Sequence, residues 1–500
     1  MSESGLLSPS TGTTSPRSWP MLIGGNWVEA AAGEWREITS PARRGHVLAR
    51  VPRGDAGDVD RAVTAAQEAF PAWRDQHFTA RQRLLLRIAD ALEGRAEELA
   101  RVTAEDTGNA LRTQARPEAA LLADLFRYFG GVAGEVKGTT LPAGATQLQY
   151  TRQEPLGVVG AILPWNSPLM IAGFKVPAAL AAGNTIVLKA AEDAPLSILL
   201  MAEICAEVLP PGVLNVVTAD REVSELLVVD PRVDKITFTG STAAGRRIGS
   251  IVGGRIGRIT LELGGKSAAV VLDDADIEAT ARSLALSELH LSGQACLSLT
   301  RVVVQRDKHD EMLEAIAEVF RQVAVGSALA EGTEMGPLAT AAQLERVTGY
   351  IELGKQSGAV LAAGGGRPKD LPCGYFVEPT VFGEVDNASR IAQEEIFGPV
   401  LSVIPADSEQ EAIRIANDTM YGLYGSVFTS DADRYARVAS DIRAGTVSQN
   451  GFRSSTSIAF GGFKQSGVGR EGGKEGILDF TETKVLLYDD PPANPSGGPA

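Results

Sequence analysis

Short apolar segments alternate with helical patterns between residues 157 and 262, and this alternation constrains the fold more than any other feature of the chain. The apolar segments have strand length, and apolar residues recur at helical spacing between them. The predicted strands are 157–163, 185–189, 214–218 and 235–239, and the predicted helices are 175–182, 198–208 and 224–229. Such units place their strands parallel, because each helix packs back on the same sheet. The pattern therefore predicts an α/β fold with a doubly wound parallel sheet.

A second alternating set follows and predicts a second α/β domain. Its strands are expected at 267–271, 300–304 and 401–404, and two helices are expected between residues 58 and 99. Two extended segments, 147–153 and 483–488, fit neither domain and are suited to pair as edge strands with another subunit. Residues 1–19 are rich in Ser, Thr, Pro and Gly, and residues 491–500 in Pro and Gly, so we expect a disordered N-terminal tail and a flexible C-terminal tail.

The composition argues against several classes of partner. Of the 500 residues, 44% are apolar and 22% are charged, as in an ordinary globular protein, and the net charge of −15 argues against nucleic acid or an anionic membrane. No apolar run is long enough to span a bilayer and no signal-peptide pattern begins the chain, so a cytoplasmic location is expected. The four histidines lie far apart, and neither HExxH nor CxxC spacing occurs, so no metal site is expected.

The candidate nucleophile is Cys296. Of the other two cysteines, Cys205 lies in an apolar helical segment and Cys373 follows a proline in a loop, whereas Cys296 follows a glycine-containing turn. If residues 297–301 form a helix, the positive end of its dipole favours the thiolate and makes Cys296 a nucleophile. The alternative for a cysteine taken alone is a buried structural thiol.

Two more polar residues supply what chemistry through a sulfur nucleophile requires. The side-chain NH₂ of Asn166, in the proline-stiffened loop PWNSP, would stabilise an oxyanion together with the backbone N–H of Cys296. Glu262 lies in an apolar strand before a Gly-Gly turn, where its pKa would be raised and its carboxylate could act as a general base. Taken singly, such an Asn serves the turn and such a Glu faces outward.

The segment after residue 239 has features of a phosphate site. Gly240 and Gly245 would let backbone N–H groups approach a pyrophosphate, although the same spacing fits close packing of a helix on a strand. Lys189 and Glu192 follow another strand, where open sheets bind ligands, and would hold ribose hydroxyls; taken singly they are a solvated surface pair. Because a carboxylate repels a 2′-phosphate, NAD is expected and NADP is less favoured.

The chain resembles members of the aldehyde dehydrogenase superfamily from about Met21 to Tyr488. The resemblance rests on the order and spacing of these motifs: PWNSP (164–168), GNTIVLKAAEDAP (183–195), TFTGST (237–242), LELGGKSA (261–268), GQAC (293–296), EEIFGPV (394–400), YGL (421–423), AGTVSQN (444–450) and FGGFKQSGVGRE (460–471). It implies a Rossmann-like NAD-binding domain of residues 20–136 and 157–262 and a catalytic domain of residues 263–480. It also implies a small β oligomerisation flap of residues 137–156 and 481–490, shared between the subunits of a homodimer or homotetramer.

The resemblance implies roles for individual residues. Cys296 is the nucleophile, Glu262 is the base, Asn166 belongs to the oxyanion hole, and Lys175 supports the site from behind, as Asn450 does. The implied cofactor-binding residues are Ile162, Pro164, Trp165, Lys189, Glu192, Gly240, Ser241, Gly245, Leu263, Glu395 and Phe397, with Glu395 on the nicotinamide ribose and Phe397 beside the nicotinamide. Apolar residues that border the motifs predict the substrate pocket: Met170, Phe174, Leu291, Leu297, Phe452 and Phe460.

The chain departs from the family pattern at three places. Lys474 lies two residues before Gly476, where the family often has a carboxylate, so Glu262 is expected to act without a second relay carboxylate. Residues 218–223 lack the usual glycines, which places charged residues near the adenine. Ala459 replaces the usual proline before Phe460.

The predicted activity is NAD-dependent, non-acylating oxidation of an aldehyde through a Cys296 thiohemiacetal and thioester. An uncharged aliphatic or aromatic aldehyde is expected, because Phe174 precedes Lys175 where relatives that bind semialdehyde carboxylates commonly have an arginine. The alternatives are a semialdehyde dehydrogenase that uses Arg453, a CoA-acylating dehydrogenase and a non-catalytic structural protein. A deacylating Glu262 argues against the second, and the presence of Cys296 and Glu262 argues against the third.

Overall fold

The computed structural model describes residues 16–143 and 147–489, and the predictions for residues 1–15 and 490–500 lie outside this part of the chain. The N-terminal part contains β1 (Arg17–Ser18), β2 (Met21–Ile23), β3 (Asn26–Val28), β4 (Trp35–Thr39), β5 (Val47–Pro52), α1 (Ala56–Arg74), α2 (Phe78–Gly94), α3 (Ala96–Thr107) and α4 (Arg116–Val132). The middle part contains β6 (Thr140–Leu141), β7 (Leu148–Pro155), β8 (Val158–Ile162), α5 (Pro168–Ala182), β9 (Thr185–Ala190), α6 (Leu196–Ala206), β10 (Leu214–Thr218), α7 (Arg221–Val229), β11 (Lys235–Thr239), α8 (Thr242–Gly254) and β12 (Arg258–Glu262). The C-terminal part contains β13 (Ala268–Val271), α9 (Ile277–Leu289), β14 (Arg301–Gln305), α10 (His309–Gln322), α11 (Ala341–Gln356), β15 (Val360–Ala363), β16 (Thr380–Gly383), α12 (Arg390–Gln393), β17 (Val400–Ala406), α13 (Glu409–Asn417), β18 (Tyr424–Phe428), α14 (Ala432–Asp441), β19 (Thr446–Gln449), β20 (Gly467–Val468), α15 (Gly473–Leu478) and β21 (Thr481–Tyr488).

The strands and helices predicted between residues 157 and 262 are all present. The region expected to hold two helices, 58–99, reaches into a third, because α2 ends at Gly94 and α3 begins at Ala96. At the N-terminus, β1 pairs with β5 and Trp19 is buried, so the predicted disorder is wrong for residues 17–19.

The central sheet has the order β3–β2–β10–β9–β8–β11–β12–β20, and its five middle strands, β10 to β12, run parallel to their neighbours among the five. The strands β8 to β11 are buried along their whole length, as expected for parallel strands that helices cover on both faces. Although β8 comes first of these five in the chain, it lies in the middle, so the winding reverses between β8 and β11. The loops that follow these two strands therefore meet in one crevice. The predicted fold class is confirmed.

A second sheet has the order β15–β16–β17–β14–β13–β18–β19, and its strands run parallel except for β15. It contains the strands predicted near residues 267, 300 and 401. The two sheets are joined directly by the segment from β12 to β13, which contains Gly264 and Gly265. Glu262, the last residue of β12, therefore lies where the chain passes from the first sheet to the second.

The two predicted edge segments pair with each other. β21 runs antiparallel to β7 from Thr481 opposite Pro155 to Tyr488 opposite Leu148, and β6 covers the other side of β7. This small sheet leaves Val485 and Leu487 exposed. Its contact with another subunit stays a prediction.

Helix α5 connects the sheet to the site. It begins at Pro168, which suits the first helical position, and ends at Gly183, whose φ of 101° suits a left-handed cap. Its side chains are apolar and buried, with Met170 and Phe174 partly exposed. Lys175 is fully buried in this helix, so its ammonium group requires a carboxylate partner nearby.

Candidate active site

Cys296 lies in a turn before β14, and the helix predicted at residues 297–301 is absent. The N–H of Ser298 is bonded to the carbonyl of Ala295, and Arg301 already pairs with Ala268 in the sheet, so no length remains for a helix. The predicted helix dipole is therefore wrong as the activating cause. Burial raises the pKa of the Cys296 thiol, and the charges of Glu395 and Glu262 raise it further. The resting residue is a thiol, which has to lose its proton when it attacks.

Cys296 is nevertheless the accessible thiol near these carboxylates, since it is partly exposed while Cys205 is fully buried. Gly265 passes directly beside it. A Cβ at Gly265 would lie 2.2 Å from the carbonyl oxygen of Cys296, so a residue other than glycine would displace the turn.

Asn166 is fixed on both sides by buried hydrogen bonds. Its Nδ2 donates to the carbonyl of Gln294 at 2.8 Å, two residues before the thiol. Its own carbonyl accepts a hydrogen bond from Nδ2 of Asn109 at 2.8 Å. One amide hydrogen of Asn166 is used in this way, which leaves the second for an oxyanion.

Glu118 fixes the loop of Asn166 from the other end. Its Oε1 accepts the N–H groups of Leu169 (2.9 Å) and Met170 (3.1 Å) in the first turn of α5. Burial raises the pKa of Glu118 to about 7, although these hydrogen bonds favour the ionised form. A carboxylate at this place satisfies N–H groups that have no partner within the helix.

Glu262 ends β12 as a buried side chain, and neither of its carboxylate oxygens has a hydrogen-bond partner among the described residues. Burial raises its pKa well above the ordinary value, and the charge of Glu471 adds to the shift, whereas Lys175 acts against it. The carboxylate lies against the chain at Gly461, where a Cβ would be 2.7 Å from Oε1. The raised pKa expected for this residue is therefore present, from the expected cause.

A second buried carboxylate is also present, contrary to the expectation drawn from Lys474. Glu471 is buried and forms a hydrogen-bonded ion pair with Lys175. Lys175 also donates to Oγ1 of Thr237 at 3.0 Å. Lys175 and Glu471 are therefore buried charged neighbours of Glu262, and both act on its pKa.

The loop after β11 is shaped by packing. A Cβ at Gly245 would lie 2.4 Å from Leu263, and one at Gly240 would lie 2.5 Å from the ring of Phe238. Gly245 therefore allows α8 to lie close to Leu263, and Gly240 leaves room for the ring of Phe238. The role of both glycines in phosphate binding stays a prediction. Ser241 caps α8 by accepting the N–H of Ala244 at 3.3 Å, so the first turn of the helix opens toward the crevice.

The other side of the crevice brings together residues from distant motifs. The rings of Trp165 and Phe397 meet edge to face at 5.5 Å, and Phe397 has a left-handed φ of 64°. Glu395 accepts the N–H of Gly265 at 3.0 Å, and burial raises its pKa to about 7. Pro164 lies next to Trp165 after the buried end of β8, Ile162.

Lys189 and Glu192 follow β9, and an arginine that the sequence reading missed joins them. Burial lowers the pKa of Lys189, while the nearby charge of Glu192 raises it. Glu192 is bonded to Nη1 of Arg36 at 3.1 Å, and Arg36 also contacts Asp220. Thr218 and Ala219 line a shallow groove at this place, together with Arg36 and Glu192.

The predicted substrate-pocket residues have different environments. Met170, Phe174, Leu297, Phe452 and Phe460 are partly exposed, whereas Leu291 is buried. The ring of Phe452 contacts the rings of His290 and Tyr424, at 6.2 Å and 5.3 Å. Phe174 lies against the backbone of Gly472, next to Glu471.

Arg453 and Asn450 make contacts of a different kind. The side chain of Arg453 is exposed, while its backbone is bonded to the hydroxyl of Tyr424. Asn450 bonds both backbone groups of Thr429 through its side-chain amide, so it stabilises the end of β18.

Comparison with known proteins gives one consistent result. The model of the aldehyde dehydrogenase family matches residues 27–486. A geranial dehydrogenase of Castellaniella defragrans is 43% identical over 93% of this chain and 98% of that protein, and a betaine aldehyde dehydrogenase of Mesorhizobium japonicum is 41% identical over 93% and 96%. The solved structure of an NAD-dependent aldehyde dehydrogenase from Sinorhizobium meliloti superposes with a TM-score of 0.92 at 37% identity, covering 97% of this chain and 96% of that one.

The chain belongs to the aldehyde dehydrogenase family. The predicted enzyme class, NAD-dependent aldehyde dehydrogenase, is confirmed. Structures of family members with bound NAD are among the structural neighbours. In the part of this aldehyde dehydrogenase that is described, each helix is too short or too polar to cross a membrane.

Two residues of this aldehyde dehydrogenase escaped the sequence reading, although one had a signal. The signal for Glu471 is Lys175, which lies in an apolar helix and therefore requires a carboxylate partner when it is buried. Glu471, the last residue of the motif FGGFKQSGVGRE, is a candidate for that partner. Arg36 had no comparable signal, because nothing in its own strand indicates contact with Glu192.

Gly245→Ala should destabilise this aldehyde dehydrogenase by about 1–3 kcal/mol, because the new methyl group overlaps Leu263. Gly249→Ala is the matched control on the same helix. Its Cβ would lie at an ordinary 3.7 Å from Leu261, so it should be neutral or stabilising. Urea unfolding measures both, and equal effects of the two variants would refute the packing role.

Glu262→Gln should change how stability depends on pH. The pKa of Glu262 is raised in the folded state, so the folded protein holds a proton that the unfolded chain releases above the ordinary value of 4.5. Stability contributed by this proton is lost as pH rises from that value through the raised one. The gain in Tm of Glu262→Gln over wild type should therefore be larger at about pH 8 than at about pH 5. A constant difference in Tm would show that Glu262 is ionised throughout.

Proposed function

We propose that this aldehyde dehydrogenase oxidises an uncharged, hydrophobic aldehyde, with Cys296 as nucleophile, Glu262 as base and Asn166 in the oxyanion hole. The observation that carries the proposal is the state of Glu262. Its carboxylate is buried, has no hydrogen-bond partner among the described residues and acts electrostatically on the Cys296 thiol. A carboxylate in this condition gains by accepting a proton.

The first step forms the bond between the sulfur of Cys296 and the aldehyde carbon. The raised pKa of the thiol means that its proton has to leave during attack, and the ionised form of Glu262, whose raised pKa makes it the stronger base, accepts that proton. The aldehyde oxygen becomes an oxyanion, which accepts hydrogen bonds from Nδ2 of Asn166 and the backbone N–H of Cys296. Asn166 is already oriented, because its Nδ2 donates a hydrogen bond to the carbonyl of Gln294.

NAD supplies the hydride acceptor for the oxidation. The residues of the crevice fit it: Lys189 and Glu192 offer a donor and an acceptor for ribose hydroxyls, and the first turn of α8 offers N–H groups to the pyrophosphate. Glu395, whose Oε1 is held by Gly265, offers its other oxygen to the nicotinamide ribose. Trp165 and Phe397, whose rings meet, would flank the nicotinamide, and Leu263, which packs at Gly245, would lie beside the pyrophosphate.

The last step breaks the thioester with water. Once Glu262 has passed the thiol proton to solvent and is ionised again, it takes one proton from the attacking water. The bond from carbon to sulfur then breaks, and that proton returns to the sulfur, which frees the Cys296 thiol and the carboxylic acid. The charges of Lys175 and Glu471 influence this proton transfer. The charge of Glu471 raises the pKa of Glu262, and the charge of Lys175 lowers it. Lys175 thus acts on the base and not on the substrate.

The preference for an uncharged substrate rests on the pocket residues. Met170, Phe174, Leu297, Phe452 and Phe460 offer apolar surface, and each methylene group buried there contributes about 0.8 kcal/mol. Burial lowers the pKa of His290 to about 4, so this ring, stacked with Phe452, is neutral at pH 7 and offers no positive charge to a carboxylate. The exposed side chain of Arg453 leaves the semialdehyde alternative without a buried cation.

The names of the two relatives differ in substrate. Geranial is an apolar aldehyde, whereas betaine aldehyde carries a positive charge. The apolar lining favours the first class for this chain, although the faces of Phe452 and Tyr424 are also able to attract a cation.

We also propose that the sheet of β6, β7 and β21 joins subunits of a homodimer or homotetramer. Leu141, Val485 and Leu487 are exposed on it, and burial of such side chains favours association. The cytoplasmic location and the small-molecule character of the partner stay expectations from the sequence.

Cys296→Ala should lower the rate of aldehyde oxidation by about 10³-fold or more, because alanine cannot form the covalent bond to the aldehyde carbon. Binding of NAD and the melting temperature should stay close to wild type. Cys373→Ala, which removes an exposed thiol elsewhere, is the control and should keep full activity. The measurement is NADH formation at saturating NAD, and turnover of Cys296→Ala at the wild-type rate would refute the covalent mechanism.

The substrate class should appear as a ranking of kcat/KM. We expect hexanal and benzaldehyde to exceed both succinic semialdehyde and betaine aldehyde by about tenfold or more, since a charged group would lose its hydration in an apolar lining. Arg453→Ala separates the main alternative. A preference for succinic semialdehyde that this substitution removes would identify a semialdehyde dehydrogenase, and a preference for betaine aldehyde would overturn the apolar assignment.

A further inference from the structure

The N-terminal strand β4 reaches the proposed ribose site through Arg36. The contact between β5 and the central sheet holds it there, because the N–H of Gly54 is bonded to the carbonyl of Thr218 at 2.8 Å. Arg36 thus lies over the carboxyl ends of β9 and β10. Its position does not depend on any of the family motifs quoted above.

The guanidinium of Arg36 is shared between two carboxylates. Nη1 donates to Oε2 of Glu192 at 3.1 Å, and Nη2 donates to Oδ1 of Asp220. Asp220 is fixed in turn, since its Oδ2 accepts Nε of Arg53 at 2.7 Å. Burial alone would raise the pKa of Asp220, but the hydrogen bond from Arg53 and the charges of both arginines hold it below its ordinary value. Asp220 is therefore ionised at neutral pH.

We propose that Arg36 is a positioning and specificity residue for the cofactor, because Asp220 holds it on Glu192 and so fixes that carboxylate for the ribose hydroxyls. The proposal rests on the proposed function, in which Lys189 and Glu192 hold the adenosine ribose. With Oε2 bonded to Arg36, Glu192 keeps Oε1 for a hydroxyl. A fixed carboxylate binds a ribose with less loss of side-chain entropy than a free one.

The same arrangement disfavours a 2′-phosphate. Arg36 is the cation nearest to Glu192, yet its two terminal nitrogens are already bonded to carboxylates. The groups that face the site are Arg36, Arg53 and Lys189 on the positive side and Glu34, Glu192, Asp193 and Asp220 on the negative side. A doubly charged phosphate would meet more negative than positive charge here. Asp220 thus contributes to selectivity for NAD, although it need not touch the cofactor.

Removal of the anchor should release Arg36. Asp220→Asn takes away one negative charge and weakens the bond to Nη2, while an Asn remains compatible with the first turn of α7. The freed guanidinium is then able to bind a phosphate with two parallel hydrogen bonds. Asp220→Asn should therefore favour the 2′-phosphorylated nucleotide.

Calorimetry with two probes tests this without turnover: 5′-AMP, which has a free 2′-hydroxyl, and 2′,5′-ADP, which has a 2′-phosphate. We expect Asp220→Asn to raise the affinity for 2′,5′-ADP relative to 5′-AMP by about tenfold, and the double variant with Arg36→Ala to lose this gain. Arg36→Ala alone should weaken 5′-AMP several-fold and raise KM for NAD with kcat unchanged. Arg36→Lys, which keeps the charge but not the fork, should recover part of the binding.

Arg50→Ala is the matched control, because it removes an exposed arginine that is paired with Glu37 on the same small sheet. It should leave both probes and KM unchanged. An unchanged ratio in Asp220→Asn, with wild-type melting temperature, would overturn the proposal. Loss of 2′,5′-ADP binding alone in Arg36→Ala would overturn it too, since Arg36 would then already be a phosphate ligand. Failure of the proposed function is a separate outcome: the wild type would bind neither probe and form no NADH.

Discussion

The buried ion pair between Lys175 and Glu471 is the interaction on which the active site depends. It joins α5, which packs on the central sheet, to a C-terminal segment 296 residues later in the chain. Neither charge has access to water, so loss of one partner would leave the other unpaired at a high cost. Both members of the pair also act on the pKa of the buried Glu262: the charge of Glu471 raises it, and the charge of Lys175 lowers it. Structure and acid–base chemistry are therefore coupled in one cluster.

The proposed nucleophile, Cys296, is held in place by hydrogen bonds of the surrounding loops and not by a helix. Asn109 and Glu118 hold the two ends of the loop that carries Asn166, and that loop is bonded to the turn of Cys296. The thiol stays protonated at rest because burial and neighbouring carboxylates raise its pKa. A protonated thiol resists unwanted oxidation, and in the proposed mechanism the bond to substrate forms when the ionised Glu262 accepts the proton. Attack by Cys296 therefore depends on Glu262 as the single proposed base.

The cofactor end shows a different division of labour. Lys189, Glu192 and Glu395 belong to motifs that the chain shares with its family. Arg36, Arg53 and Asp220 lie outside these motifs and form ion pairs with one another or with Glu192; we call these three residues the frame. The motif residues offer the chemical groups, and the frame decides how firmly these groups are held. Charged residues at 218–223, where the family often has glycines, become intelligible as part of this frame.

The sequence by itself determined the fold class and the identity of Cys296, Glu262 and Asn166 as candidates, because strand–helix alternation and motif order are local features of the chain. It also indicated the raised pKa of Glu262, since an apolar strand before a Gly-Gly turn is buried in most folds. It was wrong about the helix after Cys296, where pairing of Arg301 with Ala268 prevailed over local propensity. Only the tertiary structure decided the partners of Lys175 and Glu192. Glu471 lies 296 residues from the first, and Arg36 lies 156 residues from the second. Contacts over such separations are set by how the sheets pack, and no local pattern records them.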